Sequence, residues 1–481
     1  MSEHSTSNQD NSEDLEENEY MLSPVPFTKR RPTWKQIMVW IGFGYVATGF
    51  IVGGTLAGGE GQLGLPPFMA FLSIAISMGI LFIITSLLGI IAQRTGLNLA
   101  LISRYSYGYK GTNLPLIVMA FLTLGWFASI NGMISDALKV FIGNPSGISV
   151  INPVSLGFEG VEPITLEEFI TMIIFGLVFT MTVYYGIKAI ENVASIISPL
   201  ILVMAVIAGI GMLIDGGGVG SIINSAQGFE GLEFGTSITI VTGSWIAGVI
   251  MGVDFFRFNK TIKGVFAGAF ACFIITNPIL NIVGYIGVAS IGSYNYIIWL
   301  NDYGWALGLI GIIGWVAALW TTNNAELYCN ALYTGPVISS YKKNPVKRKN
   351  IVLVIGIIGT IISAVGFYQI FFADFITVLG AAFLPLGGPI IADYYLIKKQ
   401  DYDANEVYNQ RKYKWSGIFS FVISAFVGII LEFFVTIPYG LPSSLISLLL
   451  SIILYLIIYR FTDYVHDKNE TTLGRDELIN Q

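Results

Sequence analysis

A run of polar side chains, Trp-Thr-Thr-Asn-Asn-Ala-Glu at residues 320–326, interrupts an otherwise apolar part of the sequence. The adjacent Thr321 and Thr322 offer hydroxyl oxygens, which are hard ligands that suit a small cation. Because hydroxyls bind Na+ without changing their protonation, the pair favours sodium as that cation. The alternative is that both hydroxyls bond back to the preceding helical turn, as threonines in membrane helices often do.

Glu326 lies one helical turn after Thr322, and therefore on the same helix face. An ionisable residue inside a membrane helix indicates function by default. A carboxyl group that takes up and releases a proton would couple transport to protons in place of sodium, so either Na+ or H+ remains a candidate for the coupling cation. A solvated position near the end of the helix is the alternative for this residue.

Trp126 lies in the segment Leu-Gly-Trp-Phe-Ala-Ser at residues 124–129. A tryptophan face is a platform on which a flat ligand can stack. Tryptophan in membrane proteins more often belongs to the interfacial belt or to packing. Its place about twelve residues into a predicted span argues against the belt.

The composition requires a membrane environment for these residues. The chain of 481 residues is 54% hydrophobic and 12% charged, whereas soluble domains carry about 25% charged residues. A net charge of −6 excludes a nucleic-acid binder, which needs a basic face. The two histidines, His4 and His466, lie in polar tails, which excludes histidine-based metal sites and acid/base catalysis in the apolar body. An enzyme is therefore not expected, and no repeated filter loop indicates a channel.

A membrane helix needs about 20 apolar residues, and twelve such runs predict an all-α polytopic membrane protein with twelve spans. The runs are 36–58, 67–92, 114–140, 167–187, 193–214, 236–256, 264–290, 304–333, 350–368, 371–397, 416–437 and 442–461. If the N-terminus is cytoplasmic, every Lys and Arg except Lys139 falls in or beside an inside segment, as the positive-inside rule requires. We therefore expect a multi-pass protein of the cell membrane with both termini in the cytoplasm.

Glycines are concentrated in span 1 (Gly42, Gly44, Gly49, Gly53, Gly54, Gly58 and Gly59) and in span 6 (Gly243, Gly248 and Gly252). The two spans are five apart, so a repeated five-helix unit would be inverted in the membrane. Glycine-interrupted spans at corresponding positions of inverted halves indicate discontinuous helices that bind ions and substrate. The alternative is that the glycines only let helices approach closely.

The expected domain organisation follows from these spans. A cytoplasmic tail covers 1–35, of which 1–20 is acidic and disordered. A ten-helix core covers 36–397, made of a first repeat (36–214) and an inverted second repeat (236–397). A cytoplasmic loop (398–415), two additional helices (416–461) and a cytoplasmic C-terminal tail (462–481) follow.

Several segments together resemble the nucleobase–cation symporter family one, and within it the bacterial cytosine permeases. They are Val-Gly-Gly-Thr-Leu at 52–56, Ser-Arg-Tyr-Ser-Tyr-Gly at 103–108, Gly-Trp-Phe at 125–127, Tyr-Gly-Ile at 185–187, Gly-Ser-Trp-Ile at 243–246, Asp-Phe-Phe-Arg-Phe at 254–258, Trp-Thr-Thr-Asn at 320–323 with Leu-Tyr at 327–328, and Pro-Ile-Ile-Ala-Asp-Tyr at 389–394. The resemblance implies a sodium-symporter type fold with five-plus-five inverted repeats, discontinuous spans 1 and 6, and two extra helices.

The resemblance also implies site residues. A flat base would lie between Trp126 and Trp245, with Asn323 on the polar side of the pocket. The cation would bind the hydroxyls of Thr321 and Thr322 and the carbonyl of Ala318. Main-chain carbonyls of span 1, at Gly42 and Tyr45, would complete its ligands.

The sequence departs from the cytosine permeases at three further substrate-site positions. Thr123 replaces a glutamine, Ala247 replaces a serine, and Asn324-Ala325-Glu326 stands where those permeases have Asp-Asn-Ala. Stacking is therefore retained while the hydrogen-bonding edge of the pocket is changed. The sequence supports a flat heterocycle more firmly than it supports cytosine.

The expected function is import of a nucleobase or related flat heterocycle of the cytosine/purine class, driven by a cation gradient through alternating access. No cofactor is expected beyond the coupling cation, with Na+ favoured and H+ possible. Alternatives on the same fold are a hydantoin or allantoin, a vitamin-type pyrimidine, or an amino acid. The expected partners are the substrate, the cation and the lipid bilayer, and no obligatory protein partner is evident.

Overall fold

The computed structural model describes residues 20–58, 64–158, 161–185, 202–225, 231–342, 346–435, 437 and 441–464. These residues are mostly helical. The helices are α1 Thr33–Gly44, α2 Ala47–Leu56, α3 Pro67–Thr95, α4 Leu99–Tyr107, α5 Asn113–Ile142, α6 Leu166–Tyr184, α7 Leu202–Asp215, α8 Gly218–Ser225, α9 Phe234–Gly243, α10 Ile246–Phe256, α11 Ile262–Phe270, α12 Asn277–Ile291, α13 Tyr296–Asp302, α14 Trp305–Ser339, α15 Arg348–Ala364, α16 Phe367–Ala382, α17 Gly387–Ile391, α18 Trp415–Phe433 and α19 Ser443–Thr462. Two π-helical turns, Ala271–Thr276 and Ala392–Ile397, continue α11 into α12 and extend α17.

The described residues contain nine helical stretches long and apolar enough to cross a membrane, and the bent pair α1–α2 makes a tenth. Predicted span 5 corresponds to the shorter apolar helix α7, and its residues 193–201 lie outside the described part of the chain. Predicted span 9 corresponds to α15, which has 17 residues. The mostly helical, multi-pass architecture is confirmed, apart from one short strand pair, while the count of twelve spans and the inverted repeat stay predictions.

Spans 1 and 6 are both interrupted, as the sequence predicts. Between α1 and α2 the chain bends by 49°, and Tyr45 and Val46 have non-helical backbone angles. Between α9 and α10 the break falls at Ser244 and Trp245. The most apolar window of the α9–α10 span is 94% buried against 28% for α19, so span 6 is central and the last helix is peripheral.

Several span 1 glycines serve close packing instead of forming the break. A Cβ on Gly53 would lie 1.8 Å from the carbonyl oxygen of Asn281, and one on Gly284 would lie 2.0 Å from the carbonyl oxygen of Phe50. Helix α2 therefore packs backbone to backbone against α12, as small residues allow in membranes. The close-packing alternative and the broken helix both hold in span 1.

Four of the basic segments lie on one face of the molecule. The amide of Arg31 donates to the carbonyl of Phe258 at 2.6 Å, and the amide of Lys260 donates to the carbonyl of Arg31 at 3.2 Å. The amide of Lys110 bonds to the carbonyl of Lys412 at 2.9 Å. That this face is cytoplasmic stays a prediction.

Residues 20–25 pack on the same face. The carbonyl of Tyr20 accepts from Arg257 Nη1 at 2.9 Å, and that of Met21 accepts from Asn98 Nδ2 at 2.8 Å. The side chains of Tyr20, Met21 and Val25 are buried. The rest of the stretch 1–20 predicted to be disordered, and residues 465–481 of the predicted C-terminal tail, lie outside the described residues.

Lys139, the one basic residue outside the predicted cytoplasmic segments, lies at the opposite end of α5. Lys139 Nζ lies 2.7 Å from Glu162 and 3.5 Å from Glu168. The hydrogen bond from Lys139 lowers the pKa of Glu162. Strands Ser149–Ile151 and Ile164–Thr165 pair antiparallel in the same connection, which joins α5 to α6.

Candidate functional site

A cavity lies where the two broken helices meet α5 and α14, with about 430 Å³ of empty space that includes its opening to solvent. The lining residues come from both sides of the span 1 break, from the span 6 break and the helix that follows it, and from α5 and α14: Trp40, Phe43, Val46, Thr48, Trp126, Ile130, Ser244, Trp245, Gly248, Met251, Phe255, Thr322 and Glu326. Four predicted site residues, Trp126, Trp245, Thr322 and Glu326, are therefore brought to one cavity.

The two tryptophans are held by aromatic neighbours behind them. Trp126 meets the rings of Phe372 and Phe375 at centroid distances of 5.8 and 5.7 Å, both T-shaped. The ring of Phe375 comes so close to α5 that a Cβ on Gly125 would lie 2.7 Å from it. The absence of a side chain at Gly125 thus lets Phe375 support the Trp126 ring.

Trp245 owes its orientation to the helix break and to a second glycine. Its backbone angles, φ −125° and ψ 1°, are not helical, and α10 begins at the next residue. A Cβ on Gly248 would lie 2.7 Å from Trp245 Cε3, so the indole lies directly over Gly248. The ring of Phe273 contacts it edge to face at 5.3 Å.

Several polar atoms at the cavity have no hydrogen-bond partner among the described residues. They are Trp40 Nε1, Thr48 Oγ1, Trp126 Nε1, Trp245 Nε1 and Glu326 Oε2. Buried polar groups are nearly always paired in native proteins, and each unpaired group costs about 1–3 kcal/mol. Such groups at an aromatic cavity fit a ligand with polar edges and a flat face.

The threonine pair adopts the back-bonded arrangement that the sequence left as an alternative. Thr321 Oγ1 donates to the carbonyl of Ala318 at 2.7 Å, and Thr322 Oγ1 donates to the same carbonyl at 3.3 Å. A hydroxyl that donates its hydrogen keeps two acceptor lone pairs, so this bonding leaves the oxygens available to a cation. The bonds bring the three predicted oxygens of α14 together.

The predicted span 1 ligands lie at the end of α1. Gly42 is buried in its last turn, and Tyr45 occupies the break, where its hydroxyl lies 3.2 Å from that of Tyr296. Helix α14 contacts both α1 and α2. Within the described residues no group of three or more His, Cys, Asp and Glu side chains could hold a metal ion.

Three predicted substrate residues do not line the cavity. Thr123 donates to the carbonyl of Met119 at 2.8 Å and accepts from Asn330 at 3.0 Å. Ala247 is buried in α10. Asn323 is fully buried, and neither atom of its amide group has a partner among the described residues.

Sequence reasoning missed several lining rings, chiefly Trp40, Phe43 and Phe255. All three lie on the inner parts of the broken spans, and Phe43 and Phe255 meet T-shaped at 4.5 Å. Their position in the two glycine-rich spans was the available signal.

A buried polar network joins α10 and α14 near these rings. Asp254 Oδ2 accepts from the hydroxyl of Tyr333 at 2.7 Å, and Asp254 Oδ1 accepts from the amide of Leu99 at 3.1 Å. Arg257 Nε donates to the carbonyl of Asp254 at 3.1 Å. The network holds α4, α10 and α14 together on the basic face.

Comparison with known protein families assigns the chain to one of them. Residues 24–452 match the family model described as permease for cytosine/purines, uracil, thiamine, allantoin. The chain belongs to this permease family. Members of this family are described as permeases, so the cavity is the cavity of a permease.

Individual relatives cover most of the chain. It is 27% identical over 415 residues to the cytosine permease of Escherichia coli strain K12. These residues cover 86% of this chain and 89% of the relative. It is 24% identical over 432 residues to the allantoin permease of Bacillus subtilis strain 168, with 82% of each chain covered. The relatives thus include permeases for different heterocycles.

A solved structure shares the fold. The nucleobase-cation-symport-1 family transporter Mhp1, in a closed conformation with bromovinylhydantoin bound, superposes with a TM-score of 0.73. The match covers 92% of this chain and 96% of Mhp1 at 20% identity. The chain therefore has the fold of this transporter.

Proposed function

We propose that this permease is a secondary active symporter that imports a nucleobase or related flat heterocycle, driven by a cation gradient. The observation that carries the proposal is the cavity in which Trp126 and Trp245 stand beside unpaired polar atoms of Thr48 and Glu326. Aromatic walls favour a flat ring, and the polar atoms would bind its edges. The chain would move this solute without altering it chemically.

The proposed cation site consists of Thr321, Thr322 and the carbonyl of Ala318, completed by carbonyls at Gly42 and Tyr45. Unwound main chain next to a broken helix commonly coordinates Na+ in such transporters. Sodium is favoured because the clustered oxygens of α14 are neutral. A proton on Glu326 is the alternative coupling ion.

The proposed transport cycle uses the breaks in spans 1 and 6 as the elements that change angle. Opening alternates between the basic face, proposed to be cytoplasmic, and the opposite face. The proposed transport core is 36–397, with 36–214 and 236–397 as inverted repeats, and 416–461 supplies two peripheral helices. Asn323, Thr123 and Ala247 are proposed to act from behind the lining residues, by shaping the pocket.

A second candidate is another ring on the same fold, because the relatives include the allantoin permease and a hydantoin permease of Microbacterium maritypicum, 25% identical over 350 residues. A vitamin-type pyrimidine also fits a cavity with aromatic walls. An amino acid is disfavoured, since paired tryptophans offer it no matching surface.

The test is uptake of labelled cytosine, uracil, hypoxanthine and allantoin into liposomes that contain the purified protein, with an inward sodium gradient. Accumulation of one ring that collapses when choline replaces sodium supports the proposal and names the solute. Accumulation that instead requires a pH gradient assigns the coupling to protons. No accumulation of any ring under either gradient refutes the nucleobase proposal.

A further inference from the structure

Among the described residues that line the cavity, one is ionisable and none is basic. Glu326 is the sole ionisable residue among those lining the cavity, its side chain is buried, and Oε2 has no partner among the described residues. Burying an isolated carboxylate is far more costly than burying a paired one. An ionised Glu326 therefore needs a positive charge that enters from outside.

Arg257 does not supply that positive charge, because it is not among the residues that line the cavity. Arg257 extends over the ring of Phe258, with 4.8 Å between the guanidinium carbon and the ring centroid. It also donates to the main-chain oxygens of Tyr20 and Asp254. The titratable groups that interact with Glu326 are Cys329 and Tyr333 of α14, and both of these also interact with Asp254 of α10. Of these four groups, Arg257 is the one cation, and it lies outside the cavity lining.

The remaining walls are those that attract organic cations. Five of the thirteen lining residues are aromatic: Trp40, Phe43, Trp126, Trp245 and Phe255. The negative face of an aromatic ring attracts a cation. A group of aromatic rings with one carboxylate is the chemistry by which proteins bind positively charged organic ligands.

We infer that the cavity binds a flat heteroaromatic ring that carries a positive charge, with the carboxylate of Glu326 as its counter-charge. The inference rests on the proposed function and specifies the solute of the same site. Trp126 and Trp245 stack on the ring, while Glu326 distinguishes a charged ring from a neutral ring of the same shape. Neutral bases then bind more weakly than ring cations of similar size.

The test measures equilibrium binding to the purified full chain at one fixed sodium concentration. One ligand pair is 1-methylnicotinamide, which has a fixed positive charge, and its neutral counterpart N-methylnicotinamide, which has the same number of heavy atoms. Thiamine is a second fixed cation, and cytosine and adenine are neutral reference rings. We expect at least one fixed cation to bind at least about tenfold more tightly than the neutral rings.

The variant Glu326→Gln keeps the size and removes the charge. We expect it to abolish the preference for the cation, because the fixed cations lose far more affinity than the neutral rings do. Glu162→Gln makes the same change at an exposed residue outside the cavity and should leave the preference intact. Thermal melting of each variant establishes that it is folded, and the ligand comparison on the unmodified chain does not depend on either substitution.

Each other outcome overturns the inference in a distinguishable way. If neutral bases bind and neither fixed cation binds more tightly, the inference fails and the proposed function stands. If Glu326→Gln keeps the cation preference but weakens sodium binding, Glu326 serves the coupling cation and not the solute. If no ring binds at all, the inference and the proposed function fail together.

Discussion

Adding one methyl group at Gly248 should move a wall of the cavity. A Cβ there would lie 2.7 Å from Trp245 Cε3 and 2.8 Å from Cζ3, whereas carbon atoms in contact are about 3.5–4.0 Å apart. The indole must therefore shift by roughly 0.7 Å or more. Phe273 contacts it edge to face at 5.3 Å, so the open direction is into the cavity.

We expect Gly248→Ala to weaken ring binding about tenfold, equivalent to about 1.4 kcal/mol. Because the cavity gives the indole room to move, the melting temperature should change little. The assay is quenching of tryptophan fluorescence by the ring that the liposome panel identifies, followed by uptake of the same ring.

Gly79→Ala is the matched control, since a Cβ on Gly79 has no heavy atom within 4 Å. It makes the same chemical change in a membrane helix and should leave affinity unchanged. Equal affinity for Gly248→Ala and the unmodified chain would show that the Trp245 face is not part of the binding wall. Equal losses in both variants would show that the effect comes from helix stiffness and not from the ring.

Three further perturbations address the cation site, the polar network and the helix packing. Thr321→Val and Thr322→Val each remove one oxygen from the cluster at Ala318; sodium-driven uptake should fall by at least about tenfold, with a raised sodium half-saturation that serine at either position restores. Tyr333→Phe deprives the buried Asp254 of its 2.7 Å donor and should lower the free energy of unfolding by about 1–3 kcal/mol. The exposed Tyr303→Phe, whose partner Asp215 keeps a 2.6 Å bond from Trp299, should cost less than about 0.5 kcal/mol; similar melting shifts for the two variants would contradict the role of burial. Gly284→Ala would place a Cβ 2.0 Å from the carbonyl oxygen of Phe50, and should reduce the yield of monodisperse protein on gel filtration, where Gly79→Ala does not.

The sequence predicts the helices well because long apolar runs have few other possible structures in a membrane. It also identifies both broken spans from their glycines, although several of these glycines serve close helix packing and do not form the break. Gly49, Gly53 and Gly54 pack α2 against α12 and neighbouring residues, whereas the break falls at Tyr45 and Val46 with negative φ angles. Glycine content indicates the correct helix without locating its break.

The candidate site is predictable in part from residue types and in part from the family resemblance. Trp126 and Glu326 are costly to bury without purpose, the resemblance points to Trp245, and all three line the cavity. Thr123 satisfies its hydroxyl on its own helix and on Asn330, which no spacing rule reveals. Phe43 and Phe255 face the cavity because of the helix breaks, and that orientation depends on the tertiary structure.

The geometry also explains why substrate and cation would act on one element. Phe43, before the break in span 1, and Thr48, after it, both line the cavity. Thr322 of α14 also lines it, and the hydroxyl of Thr322 belongs to the proposed cation site. A cation held between Thr322 and the span 1 carbonyls would fix the angle at Tyr45 and Val46, and with it the positions of both lining residues. Thermodynamic linkage then requires that the ring raise cation affinity by the same factor by which the cation raises ring affinity. A factor close to one, measured by titrating each ligand with and without the other, would mean that the two sites do not share this break.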